Sequence, residues 1–218
     1  MARFRRLVVP GYPHHITQRG VRGQTTFFNE QDYRRYIRLA AGLLPTASIE
    51  ILAYCLMPNH IHAVVIPQEK TSLATFFGPL HKNYAQHTNL RYEWTGHLWQ
   101  ARYYSVPMNE GHTLTAMRYV ELNPLRAGLE KVPQDWPWSS CRGNLGLVDD
   151  PLIPDRRALD IISDWSGYLG AREEEQTLKR LRQQTNTGRP SGDEAFIDKL
   201  ESLTGRQIRK RPAGRRLK

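Results

Sequence analysis

Two short groups of residues in this chain have the types and spacing to do chemistry. In "PNHIHAVV", His60 and His62 stand one residue apart at the start of an apolar, β-prone run. On a strand, residues i and i+2 point to the same face, so the two imidazoles project together while Ile61 turns into the core. Neutral imidazoles placed this way can share one divalent cation, and the pair alone suits Mn, Zn, Fe, Co or Ni. In "TAMRYVELNPLRAG", Tyr119 and Asn123 lie four residues apart. On a helix they share one face. An asparagine carbonyl is a reasonable third ligand for such a cation, and a tyrosine one turn away would present its phenol beside it. A site of two imidazoles and one carbonyl leaves coordination positions open for substrate oxygens.

These residues need strands and helices to bring them together. "HHITQRG", bounded by Pro13 and Gly20, reads as a first strand. Asn29 or Asp32 caps a helix predicted through "DYRRYIRLAAGLL" and stopping at Pro45. "IEILAYCLM" and "HIHAVVI" are β-rich runs joined tightly by "PN". Thr71 or Ser72 opens a second helix that Gly78-Pro79 is expected to kink or split. "GHLWQARYYSVPM" holds a short strand, and the helix carrying Tyr119 ends before Pro124 or one turn later at Gly128. This order predicts an α+β fold: a ferredoxin-like antiparallel sheet with helices on one face.

Beyond residue 148 the texture changes. "DDPLIPD" reads as a hinge, "AREEEQTLKRLRQQ" as a charged helix and "NTGRPSGDE" as a linker. "DEAFIDKLESLTGR" is a short amphipathic helix, too short to stand alone, so it must dock or fold on binding. The chain is therefore read as a body, 1–148, and a mostly helical, basic C-terminal extension, 149–218.

Lys and Arg number 31 against 21 Asp and Glu, a net charge of +10 that favours a polyanionic partner. The excess sits at the ends. Arg3, Arg5, Arg6, Arg19 and Arg22 occupy an acid-free N-terminal stretch, and "RQIRKRPAGRRLK" from Arg206 onward holds no acid either. No apolar run approaches the roughly 20 residues that span a bilayer, and the N-terminus lacks the apolar core of a secretory signal. Cys55 and Cys141 are too few for a disulfide scaffold and read as buried thiols in a reducing cytosol. The expectation is a cytoplasmic protein with neither a membrane partner nor a small-molecule substrate.

"PNHIHAVV" resembles the His-hydrophobe-His motif of the HUH single-strand endonucleases, and "YVELNPLRAG" resembles the catalytic helix of their single-tyrosine transposase branch. "PHHITQRG" and "WPWSS" are similar to the REP-associated tyrosine transposases in particular, and "GRPSGDEAFIDKLESLTGR" is similar to the C-terminal part of that group. The resemblance implies that Tyr119 attacks a DNA phosphodiester to leave a 5′-phosphotyrosine link and a free 3′-OH. It also implies that His60, His62 and Asn123 hold a divalent metal ion, Mg or Mn. The wider single-tyrosine group commonly uses Gln or Glu as third ligand, whereas the REP-associated branch uses Asn. The partner implied is single-stranded DNA with REP hairpins, bound by a monomer. Arg19, Arg22 and Arg102, with Arg189, Arg206, Arg209, Lys210 and Arg211 in the tail, are the candidate DNA-binding residues.

Tyr103 and Tyr104 are competitors as nucleophile. His14, His15, Gln18 and Arg19 sit on the first strand, beside where the His60–His62 strand could pair, and His97 and Trp99 are candidates to line the groove, with packing the default. Two other functions fit parts of the pattern. A non-cleaving protein that binds hairpin DNA or RNA would use the same basic ends. A metal-dependent hydrolase working through water lacks an Asp or Glu general base in either motif.

Overall fold

The computed structural model describes residues 6–155, 162–171, 179, 181, 183 and 188–209. Four antiparallel strands form one sheet: β1 (His14–Arg19), β2 (Ile49–Met57), β3 (His60–Pro67) and β4 (Tyr104–Pro107), in the order β2-β3-β1-β4. The sequence-predicted α+β, ferredoxin-like sheet is therefore present. Among the described residues no helix is long and apolar enough to cross a membrane.

Side-chain alternation divides the sheet into two apolar faces. Ile16, Ile61, Ala63 and Val65 face α1 (Glu30–Ala47) and α2 (Ser72–Tyr92), which supply Tyr33, Tyr36, Phe76, Phe77 and Leu80 to that core. Cys55, Met57, Val64 and Val106 face the other way, onto Ala116, Met117 and Val120 of α3 (Glu110–Glu121). The expectation of helices on one face thus holds for α1 and α2, while α3 covers the opposite face. The physical reason is that both faces of β2 and β3 are apolar, and a sheet must bury each apolar face against a layer of its own.

Local signals explain the element ends. Asn29 caps α1 in a reciprocal box with Asp32, whose carboxylate also takes the Arg91 guanidinium from the end of α2 at 2.6 Å. Pro45 lies inside the last turn of α1 instead of stopping it. Pro79 does not split α2, which runs unbroken for 21 residues. An interior proline costs about 3 kcal/mol. Burial of Phe76, Phe77, Leu80 and Tyr84 outweighs it at roughly 1.5–3 kcal/mol per large side chain. Past Leu122 the chain makes one more turn, α4 (Asn123–Arg126), and leaves it through Gly128 at φ +67°.

The described parts of residues 149–209 pack closely on the body. The stretch read as a hinge buries Leu152 and Ile153 in the α1/α2 core, and Tyr54 donates a hydrogen bond to Asp150 at 2.8 Å. The described end of the stretch read as a linker is held on the end of β4, where Ser191 N–H donates to Pro107 O at 2.8 Å. A short helix, α6 (Trp165–Gly170), places Trp165 and Leu169 in the α3 core; α5 (Cys141–Asn144) precedes it in the chain. The amphipathic helix, α7 (Glu194–Thr204), is capped by Asp193 and Gly205 and docks Phe196 and Leu200 on Leu7 and Val9. Most of the predicted charged helix lies outside the described residues.

Candidate active site

The β2–β3 hairpin and the α3–α4 helix place the site on the face opposite α1 and α2. The Pro58-Asn59 turn is pinned from outside: Thr26 and Phe27 N–H groups donate to Pro58 O at 2.8 and 3.0 Å, and Asn59 Nδ2 donates to Gly23 O at 3.0 Å. Asn59 then faces His60, its Oδ1 2.6 Å from His60 Nδ1. A carboxamide oxygen only accepts, so His60 carries its proton on Nδ1 and keeps Nε2 as a bare lone pair.

His60 and His62 share this face with ring centroids 5.0 Å apart and planes at 84°. Burial pushes His60 down to about 4, helped by the Arg19 charge beside it. Burial also holds His62 well below the usual histidine range, with charge from His15, His60 and Arg126 acting in the same sense. Both rings are therefore neutral near pH 7, the form that binds metal. Tyr119 brings its ring edge-on to His62, with centroids 5.6 Å apart, and is 8 % exposed. Asn123 is buried at the head of α4, where its Nδ2 donates weakly to Val120 O at 3.4 Å.

Neutral imidazoles and an amide oxygen are donor types that a divalent cation accepts. Among the described residues no group of three or more His, Cys, Asp and Glu is placed to hold a metal ion. Two imidazoles alone would therefore need a ligand of another kind, and the Asn123 amide oxygen and a substrate phosphate oxygen are such groups.

Arg19 pairs directly across from His60 in the β1–β3 register and is exposed at the rim of the site. Arg22 is exposed in the turn that follows, at φ +55°. Arg102 stands elsewhere, on a cavity of about 630 Å³ between α2 and residues 96–103, which Phe77, Trp99 and Tyr103 also line. In the tail, Arg189 donates to Ile208 O at 2.5 Å and Arg206 to Arg6 O at 3.0 Å. Arg209 pairs with Glu194, Asp198 and Glu201 at 2.9, 2.5 and 3.0 Å, so its charge is largely met within the extension. Lys210 and Arg211 lie outside the described residues. Of the competing tyrosines, Tyr103 is buried in the α1/α2 core, on the wrong face. Tyr104 pairs with Thr17, which in turn pairs with His62, so it sits on the site face two strands away.

Two residues outside the candidate ligands and nucleophile join the site. Arg126 lies 4.2 Å over the Tyr119 ring centroid and donates to Tyr119 O. Its position seven residues after Tyr119 and three after Asn123 was the available signal, since those spacings share one helix face. His15 reaches His62 from β1, its Nε2 2.9 Å from His62 Nδ1. Only the strand register brings these two together.

A ferredoxin-like sheet with paired imidazoles on one face and a tyrosine helix laid over them defines a class of DNA-processing transposase folds. The IS200-like transposase family model matches residues 12–123, and the chain belongs to that family. A solved REP-associated tyrosine transposase bound to a REP hairpin superimposes with a TM-score of 0.57 at 20 % identity, covering 68 % of this chain and 88 % of that one. A candidate transposase from Deinococcus radiodurans aligns at a TM-score of 0.37 and 19 % identity, over 56 % of this chain and 96 % of that one, too low to bear on the fold. No curated protein matches.

Proposed function

We propose that this transposase cuts and rejoins single-stranded DNA through a 5′-phosphotyrosine on Tyr119, acting on REP-type hairpins as a monomer. The observation that carries the reading is the approach of the Tyr119 ring to within 5.6 Å of His62 on the face where His60 also projects.

The Tyr119 phenol oxygen attacks the phosphorus, and the bond to the 3′ oxygen breaks. The 5′ phosphate stays on Tyr119, the phenolic proton passes through solvent to the departing 3′ oxygen, and the 3′ end leaves as a hydroxyl. His60, His62 and Asn123 would hold a divalent ion, Mg or Mn, which polarises the scissile phosphate and offsets its developing charge. Arg126 stacks on the nucleophile's ring and brings a fixed positive charge to the same place. Arg19, at the rim beside His60, suits a flanking phosphate. The phosphotyrosine retains the energy of the diester, so the 3′-OH can reverse the attack. A nucleophilic tyrosine therefore suits strand transfer better than hydrolysis.

The test is incubation with labelled single-stranded REP hairpin DNA, with and without Mn or Mg, followed by a denaturing protein gel. A metal-dependent labelled protein band is expected, absent in Tyr119→Phe and retained in Tyr104→Phe. Binding without a covalent band under either metal would leave a non-cleaving hairpin-binding protein.

A further inference from the structure

The geometry points to His15 as a positioning residue that fixes the tautomer of His62 and so makes it a metal ligand. This inference rests on the metal-site reading above and concerns a residue outside both motifs. His15 is 1 % exposed and pairs across the sheet with Val64 on one side and Val106 on the other. An imidazole between two valines is an expensive choice, because burying a polar ring costs free energy that an apolar residue would not. Its Nε2 lies 2.9 Å from His62 Nδ1, reached along the diagonal of the β1–β3 ladder. The rings lie at 14° to one another with centroids 5.1 Å apart, and the Tyr119 ring closes the cluster at 6.2 Å from His15.

Two neutral imidazoles share one hydrogen bond in only one direction at a time. When His62 Nδ1–H donates and His15 Nε2 accepts, His62 Nε2 is a bare lone pair directed away from His15. In the reverse arrangement the proton of His62 sits on Nε2 and blocks coordination. His15 must then hold its own proton on Nδ1. His60 is set the same way by Asn59 Oδ1, so each imidazole of the pair has its own acceptor behind Nδ1.

The test uses the full-length, DNA-free protein. Mn²⁺ affinity is measured by calorimetry, and the His62 tautomer by ¹⁵N NMR of the imidazoles. Wild type is expected to show His62 protonated on Nδ1 before any metal is added. His15→Leu is expected to weaken Mn²⁺ by roughly 10- to 100-fold. His15→Gln, which can still present an acceptor oxygen, is expected to stay close to wild type. Equal Mn²⁺ affinity in His15→Leu, or His62 protonated on Nε2 in wild type, would overturn the proposal. Should His15→Leu fail to fold, the wild-type tautomer and the His15→Gln affinity still decide. Wild type that shows the Nδ1–H tautomer but binds no Mn²⁺ would overturn the metal reading and leave the positioning intact.

Discussion

At the scale of single residues, the site is made of side chains whose partners are already fixed before substrate arrives. Asn59 is held by Gly23 O and in turn sets His60, and Arg126 holds the ring and backbone of Tyr119. Arg126 is the group whose loss tests how much of the rate comes from fixed charge. Arg126→Ala is expected to slow formation of the labelled protein band by roughly 100-fold at saturating DNA, the usual effect of removing one group that stabilises transition-state charge. Arg126→Lys is expected to fall between, because an ammonium keeps the charge but not the planar stacking. A rate unchanged in Arg126→Ala would restrict Arg126 to a structural part.

At the scale of elements, α3 is clamped from behind through Glu121. Its Oε1 accepts from Ser140 Oγ and Asn144 Nδ2, both at 2.6 Å, and its Oε2 from Trp165 Nε1 at 2.8 Å, so one carboxylate joins α3 to α5 and α6. Burial nevertheless pushes its pKa up to about 7, against the pull of those three donors. A folded-state pKa above the unfolded one means that the native state binds the proton more tightly. The contribution is then fully present below the unfolded value and is lost as pH rises through the folded value, a change of about 3 kcal/mol. Urea unfolding from pH 5 to 8 is expected to show this decline in wild type and a flatter profile in Glu121→Gln. Glu121→Ala strands the Trp165 and Ser140 donors and is expected to cost about 3–5 kcal/mol, read as a drop in Tm.

At the scale of the whole molecule, the described residues nearest the two ends of the chain meet. Leu7 and Val9 near the start pack on Phe196 and Leu200 of α7 and on Ile208, and Arg206 reaches back to Arg6 O. This satellite core is separate from the two that sandwich the sheet. Leu200→Asp is expected to detach α7 and speed tryptic cleavage in 188–209 while the main unfolding transition moves little. A large drop in that transition would show the extension to be part of the body's cooperative unit.

The sequence by itself determined the strand and helix types, because apolar alternation and caps such as Asn29 act over a few residues. It also determined that His60 and His62 share a strand face, since the period of 2.0 fixes this locally. Tyr119 and Asn123, expected on one helix face, fall in α3 and α4 on either side of Leu122. The tertiary structure alone decided which face of the sheet α3 covers, because β2 and β3 are apolar on both sides and their pattern does not choose. It alone put His15 behind His62, because register between β1 and β3 is set by packing across the whole sheet. It also decided that Pro79 is absorbed within α2 and that Leu152 and Ile153 are buried, since burial of neighbouring large side chains outweighs the local signals of proline.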